Sequence, residues 1–128
     1  MKVLLHLKII PKDKFIFENK LSAVKGKFTK AEDLVLLDAD NFSDGEYLKH
    51  VASLVKESEK SVVLFESCTE DGTLCFRKFM ETLYKKKDNI MVLTIGDNAV
   101  LDKLLSPLTH VYASEGDQSS RIYDFLQD

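Results

Sequence analysis

Two stretches of the chain carry side chains whose types and spacing suggest a reacting centre. The first is Ser67-Cys68-Thr69, which follows an apolar run and opens a helix-like segment. Backbone N–H groups at a helix N-terminus attract anions and can depress a thiol pKa, which makes Cys68 a candidate nucleophile or phosphate neighbour. Glu66, Glu70 and Asp71 crowd the same turn, however, and no arginine lies close in sequence to clamp a phosphate. The simpler reading is a helix cap beside a small apolar cysteine. The second stretch holds Asp38 and Asp40, which point the same way if a strand runs through both. Paired carboxylates at a strand end can hold Mg²⁺ with substrate phosphates completing the shell, and Glu66 is the obvious third acid. Here too a simpler reading leads: acids forming the turn ahead of a capped helix.

What is missing narrows the chemistry further. The turn Ile10-Pro11-Lys12-Asp13-Lys14 contains no glycine. A dinucleotide fingerprint or a P-loop needs glycine there so that backbone can approach phosphate, and no cofactor is expected. The hydroxyl-rich turn that flavodoxins place around the flavin phosphate is missing as well. There is no G-x-S-x-G elbow and no H-E-x-x-H pair. His6, His50 and His110 lie on different elements without metal-ligand spacing, and read as packing or surface residues. The Lys85-Lys86-Lys87 run reads as a solvated helix end.

The elements that must position these residues follow from periodicity. Residues 62–65 and 90–93 are continuous apolar runs, the habit of parallel strands covered on both faces. Between them Phe76, Phe79, Met80, Leu83 and Tyr84 share one helical face. Ser67 and Glu70 match a capping box, which starts that helix just after Ser67. The result is a βαβ unit with a right-handed crossover. Upstream, Val3, Leu5, Leu7 and Ile9 form one face of a first strand, and Leu4, His6, Lys8 and Ile10 form the other. Residues 13–25 fit a helix through Phe17, Leu21 and Val24, with Asp13 as cap, or a short strand at residues 15–17 turned back on the first; the helix is favoured.

Residues 34–38 form a second strand. Ser43 and Glu46 form another capping box, with Phe42 and Tyr47 as a hydrophobic staple. Tyr47, Val51, Leu54 and Val55 supply that helix's buried face. Asp97 caps a short helix that Pro107 stops, residues 109–112 form a fifth strand, and Asp117 caps a last helix carrying Ile122, Phe125 and Leu126.

Five strands alternating with five helices imply a single three-layer α/β domain over residues 1–128, with a mainly parallel sheet in the flavodoxin-like order 2-1-3-4-5. Ligands of such sheets bind where the order reverses, beyond the strand C-termini. Asp13, Ser67, Thr69, Thr94 and Asp97 line that crevice here.

Two families share parts of this pattern. LVLLDADNFSDGEYL, residues 34–48, resembles the middle of a response-regulator receiver domain, and residues 90–95 with the short helix after them suit it too. On that resemblance Asp38 is the phosphoacceptor. The chain departs from a receiver in having Ile9-Ile10-Pro11 where paired acids stand, and Tyr112-Ala113-Ser114 where a lysine stands. Residues 34–126 also resemble a STAS domain, the anti-sigma-factor-antagonist type, which implies a mixed sheet with an N-terminal hairpin as the alternative fold. The turn Glu70-Asp71-Gly72-Thr73-Leu74 lacks that family's phosphorylatable serine. Both families are regulatory and act by docking onto partners.

Composition bounds the function. The net charge is −3, and 45% of residues are hydrophobic, so a general nucleic-acid binder is not expected. Two cysteines make no disulfide framework, which suits a reducing compartment. No apolar run approaches the roughly 20 residues that span a bilayer, and the N-terminus does not read as a signal peptide. A cytoplasmic protein without membrane contact is expected. The leading expectation is a non-catalytic regulatory or protein-interaction domain that binds another protein. The alternatives are a small enzyme using Cys68 or Asp38 on an anionic or phosphorylated substrate, and a homo-oligomeric subunit, for instance a homodimer.

Overall fold

The computed structural model describes residues 1–11, 33–113 and 119–127. In chain order the elements are β1 (Lys2–Ile9), β2 (Leu34–Asp40), α1 (Gly45–Glu57), β3 (Lys60–Ser67), a 3₁₀ turn (Thr73–Phe76), α2 (Arg77–Tyr84), β4 (Ile90–Ile95), α3 (Ala99–Leu105), β5 (His110–Ala113) and α4 (Ser119–Gln127). The five strands form one sheet of order β2-β1-β3-β4-β5, and every pairing is parallel. This is the flavodoxin-like α/β arrangement, and the hairpin-containing mixed sheet is not what these strands form. The interior runs behave as their composition demands: Val62 pairs with Met91 and Leu64 with Leu93, and all four are fully buried or nearly so. Whether residues 13–25 form a helix lies outside the described residues, as do the cap at Asp117 and the position of Asp13.

Each face of the sheet has its own core. Val3, Leu5, Leu7, Ile9, Val63, Phe65 and Val92 point to one side, where Val51 and Val55 of α1, Phe79 and Leu83 of α2, and Leu101 and Leu105 of α3 cover them. Leu4, Val62, Leu64, Met91 and Leu93 point to the other, where Ile122 and Leu126 of α4 pack. Full burial of one such side chain stabilises by about 1.5–3 kcal/mol, so the two layers together dominate the fold. Cations secure α4 to the sheet. Lys60 Nζ lies 4.9 Å from the Phe125 ring and donates to the Phe125 carbonyl at 2.8 Å, while Arg121 lies 4.1 Å from the Tyr112 ring. Among the described residues no helix is long and apolar enough to cross a membrane.

Helix starts depart from the sequence reading. Asp44, not Ser43, caps α1, accepting from Glu46 N–H at 2.8 Å; Ser43 Oγ instead accepts from Asp40 N–H at 2.9 Å. Phe42 and Tyr47 therefore do not form the staple, and both are exposed. Ser67 opens no helix: residues 68–72 are a loop, and α2 starts at Arg77 after the 3₁₀ turn. Asn98, not Asp97, caps α3, accepting from Leu101 N–H at 3.0 Å.

Candidate functional site

The parallel register places three ionisable side chains in one row across the sheet. His6 lies opposite Asp38 of β2 and Leu64 of β3, and Glu66 stands two residues beyond Leu64 on the same face. His6 Nε2 is 2.9 Å from Glu66 Oε1, and its Nδ1 is 3.7 Å from Asp38 Oδ1. His6 is fully buried and Glu66 is 3% exposed, whereas the Asp38 side chain is 58% exposed. His6 and Glu66 thus satisfy each other inside the sheet, as buried polar groups require. His6 is a packing residue, as its sequence suggests, and it packs between two carboxylates. The expected cation site meets an obstacle there. Asp38 and Glu66 do flank a common point, but an imidazole occupies it. Asp40 uses Oδ1 to accept from Phe42 N–H at 2.8 Å, an Asx turn that starts the descent into α1. Among the described residues no three His, Cys, Asp or Glu side chains are arranged to hold a metal.

The strand ends expected to form a ligand crevice are stitched to one another. Cys68 N–H donates to Ile9 O at 2.8 Å, which carries the β1–β3 pairing past the last strand residue. The Asn41 side chain mimics one more strand: Oδ1 accepts from Ile10 N–H at 2.8 Å, and Nδ2 donates to Ile10 O at 3.0 Å. Gly72 closes against it with φ +88, and a Cβ there would lie 2.5 Å from Asn41 Nδ2. Asn98, 3% exposed, donates through Nδ2 to Thr73 Oγ1 at 2.8 Å, Ser67 Oγ at 3.3 Å and Thr69 O at 3.4 Å. Glu70 caps a different helix from the one its sequence suggests, accepting from Ala99 N–H of α3 at 2.9 Å. Gly96 lets the loop after β4 approach closely: its φ is +90, and a Cβ would meet Ser67 O at 2.1 Å. Ser67 and Thr69 therefore join loops to each other, while Thr94 sits half-buried at the end of β4 and Asp97 is exposed beside it.

Cys68 is a free, exposed thiol on this loop. Cys75, also free, lies with Sγ 3.8 Å from Asn41 O. Burial of the sulfur, and then the nearby Asp40 carboxylate, raise its pKa, which makes it a poorer nucleophile at neutral pH.

The outer surface of α1 and α2 carries the feature the sequence did not single out. A groove of about 610 Å³ runs between them, with Leu48 and Ala52 of α1 and Phe79 of α2 along its floor and Lys49 and Lys78 at its walls. Cys75 lines its upper end. Phe42, Tyr47 and Leu74 are exposed by 54%, 38% and 56% outside the groove lining, and the Tyr47 hydroxyl donates to Asp38 O at 2.7 Å. At the lower end Lys86 fastens the two helices together. Its Nζ donates to Val55 O at 2.9 Å, Lys56 O at 3.1 Å and Ser58 O, carbonyls at the end of α1. Burial lowers the Lys86 pKa.

No family model matches this chain, and neither a curated protein nor a solved structure does.

Proposed function

We propose that the domain is a non-catalytic protein-interaction module whose recognition surface is the α1–α2 groove. One observation carries the reading. The groove sets the apolar Leu48, Ala52 and Phe79 between the polar Lys49, Ser53, Lys78 and Glu81. A concavity with an apolar floor and a polar rim is the signature of a docking site. The candidates for catalysis point the same way. His6 has no exposed surface with which to touch a substrate, and the backbone N–H of Cys68 is taken up by Ile9 O. Two free thiols suit an intracellular setting.

The experiment fills the groove. Ala52→Trp should abolish co-purification of the partner from cells that make the protein, whereas Tyr123→Ala should leave it unchanged, with both variants folded by circular dichroism. Equal retention by wild type and Ala52→Trp would refute the assignment of the surface.

A further inference from the structure

The groove's charge identifies what it holds, granted the interaction reading above: we infer that the occupant is an acidic amphipathic helix of another protein. The groove continues past Ser53 and Glu81 into a second hollow of about 310 Å³ lined by Lys56, Thr82, Lys85 and Lys86. The lining residues recur at helical spacing on both sides, 45, 49, 52 and 56 on α1 and 75, 78, 82 and 85 along the facing stripe, so the two hollows form one trough. From Gly45 to Lys56 it spans about 16 Å at 1.5 Å rise per residue, room for about three turns of a docked helix. Five lysines line it against one glutamate, Glu81, which makes it net positive by four in a chain of net charge −3.

Several of these cations are uncommitted. Lys86 is held by the end of α1, and Lys49 lies 3.7 Å from Glu46 on the exposed side. Lys56, Lys78 and Lys85 make no salt bridge among the described residues. An apolar floor between lysine walls matches a helix with one apolar stripe flanked by glutamate or aspartate. The apolar floor of Leu48, Ala52 and Phe79 weighs against a polyanion such as RNA, which would leave that surface unused. Complementary rim charges would steer association and weaken with salt.

The test uses fluorescence anisotropy on the whole chain with two labelled probes. One is an amphipathic peptide with a leucine stripe flanked by glutamates; the other has the same stripe flanked by lysines. The glutamate peptide should bind at least about tenfold more tightly, lose affinity as salt rises, and be displaced by Ala52→Trp. The triple variant Lys56→Glu, Lys78→Glu, Lys85→Glu should weaken it by about tenfold and reverse the preference. Equal binding of both peptides, still blocked by Ala52→Trp, would overturn the acidic partner and keep the docking surface. Binding of neither, or binding indifferent to Ala52→Trp, would overturn both. Tighter binding of single-stranded RNA or phosphatidylserine vesicles than of the glutamate peptide would make the trough a polyanion site, and self-association abolished by Ala52→Trp would make its occupant a second copy; either result overturns the inference.

Discussion

The two faces of the sheet solve burial differently. The face under α1, α2 and α3 is apolar but for the buried Ser61, whose hydroxyl pairs with Ser58 Oγ at 2.6 Å, and Phe65 and Phe76 meet edge to face across it with ring centroids 6.2 Å apart. The face under α4 is apolar only through Leu4, Val62, Leu64, Met91 and Leu93, and turns polar where His6 meets Glu66. A dry layer can be repaired by almost any apolar side chain of similar volume. The polar pair is less forgiving, because a buried polar side chain that loses a hydrogen bond keeps the cost of its desolvation. The layer that is simplest inside also carries the more structured exterior: the helices over the apolar face present the trough.

Substitutions can break this contrast at several strengths. Phe76→Ala, at a fully buried site of the apolar layer, should cost about 3–5 kcal/mol in denaturant unfolding. His6→Leu should cost about 1–3 kcal/mol by removing the 2.9 Å hydrogen bond to the buried Glu66, and His6→Leu combined with Glu66→Leu should recover much of that loss. A double variant no more stable than the single would show that the two faces tolerate polar groups alike. Lys86→Met should cost about 1–2 kcal/mol, because it removes the charged donor from the α1 carbonyls and also relieves the burial of the ammonium. The smallest effect is kinetic. In a Cys68→Ser background, alkylation of Cys75 by iodoacetamide should have its pH midpoint above the free-thiol value of about 8.5, since burial and Asp40 both favour the protonated form. A midpoint below that value would mean that the upper end of the groove is more open than the structure has it.

The sheet was legible because its signal is long-lived along the chain. Residues 62–65 and 90–93 are apolar on both faces, and only a doubly covered strand satisfies that pattern. The helix caps were less legible, since a local motif can be used elsewhere. Ser67 and Glu70 have capping-box spacing, yet Glu70 reaches Ala99, 29 residues away. The partner of His6 was not legible for a related reason. That partner, Glu66, is 60 residues distant, and only the register of β1 against β3 brings them together. The alternation of β1 did hold a clue: a histidine stood on a face of a strand whose neighbours in the sheet had to bury it. The trough was invisible because Lys49, Lys56, Lys78 and Lys85 sit on two helices whose packing angle no local pattern states. Read singly, each is an ordinary exposed lysine.

The central claim, that α1 and α2 form the recognition surface, is tested most directly by photo-crosslinking. A benzophenone amino acid is placed either at Ser53 in the groove or at Asp124 on α4. The account predicts a discrete adduct with a second protein from position 53, competed away by the glutamate-flanked peptide, and none from position 124. Adducts from position 124 alone, or from both positions equally and unaffected by the peptide, would contradict it.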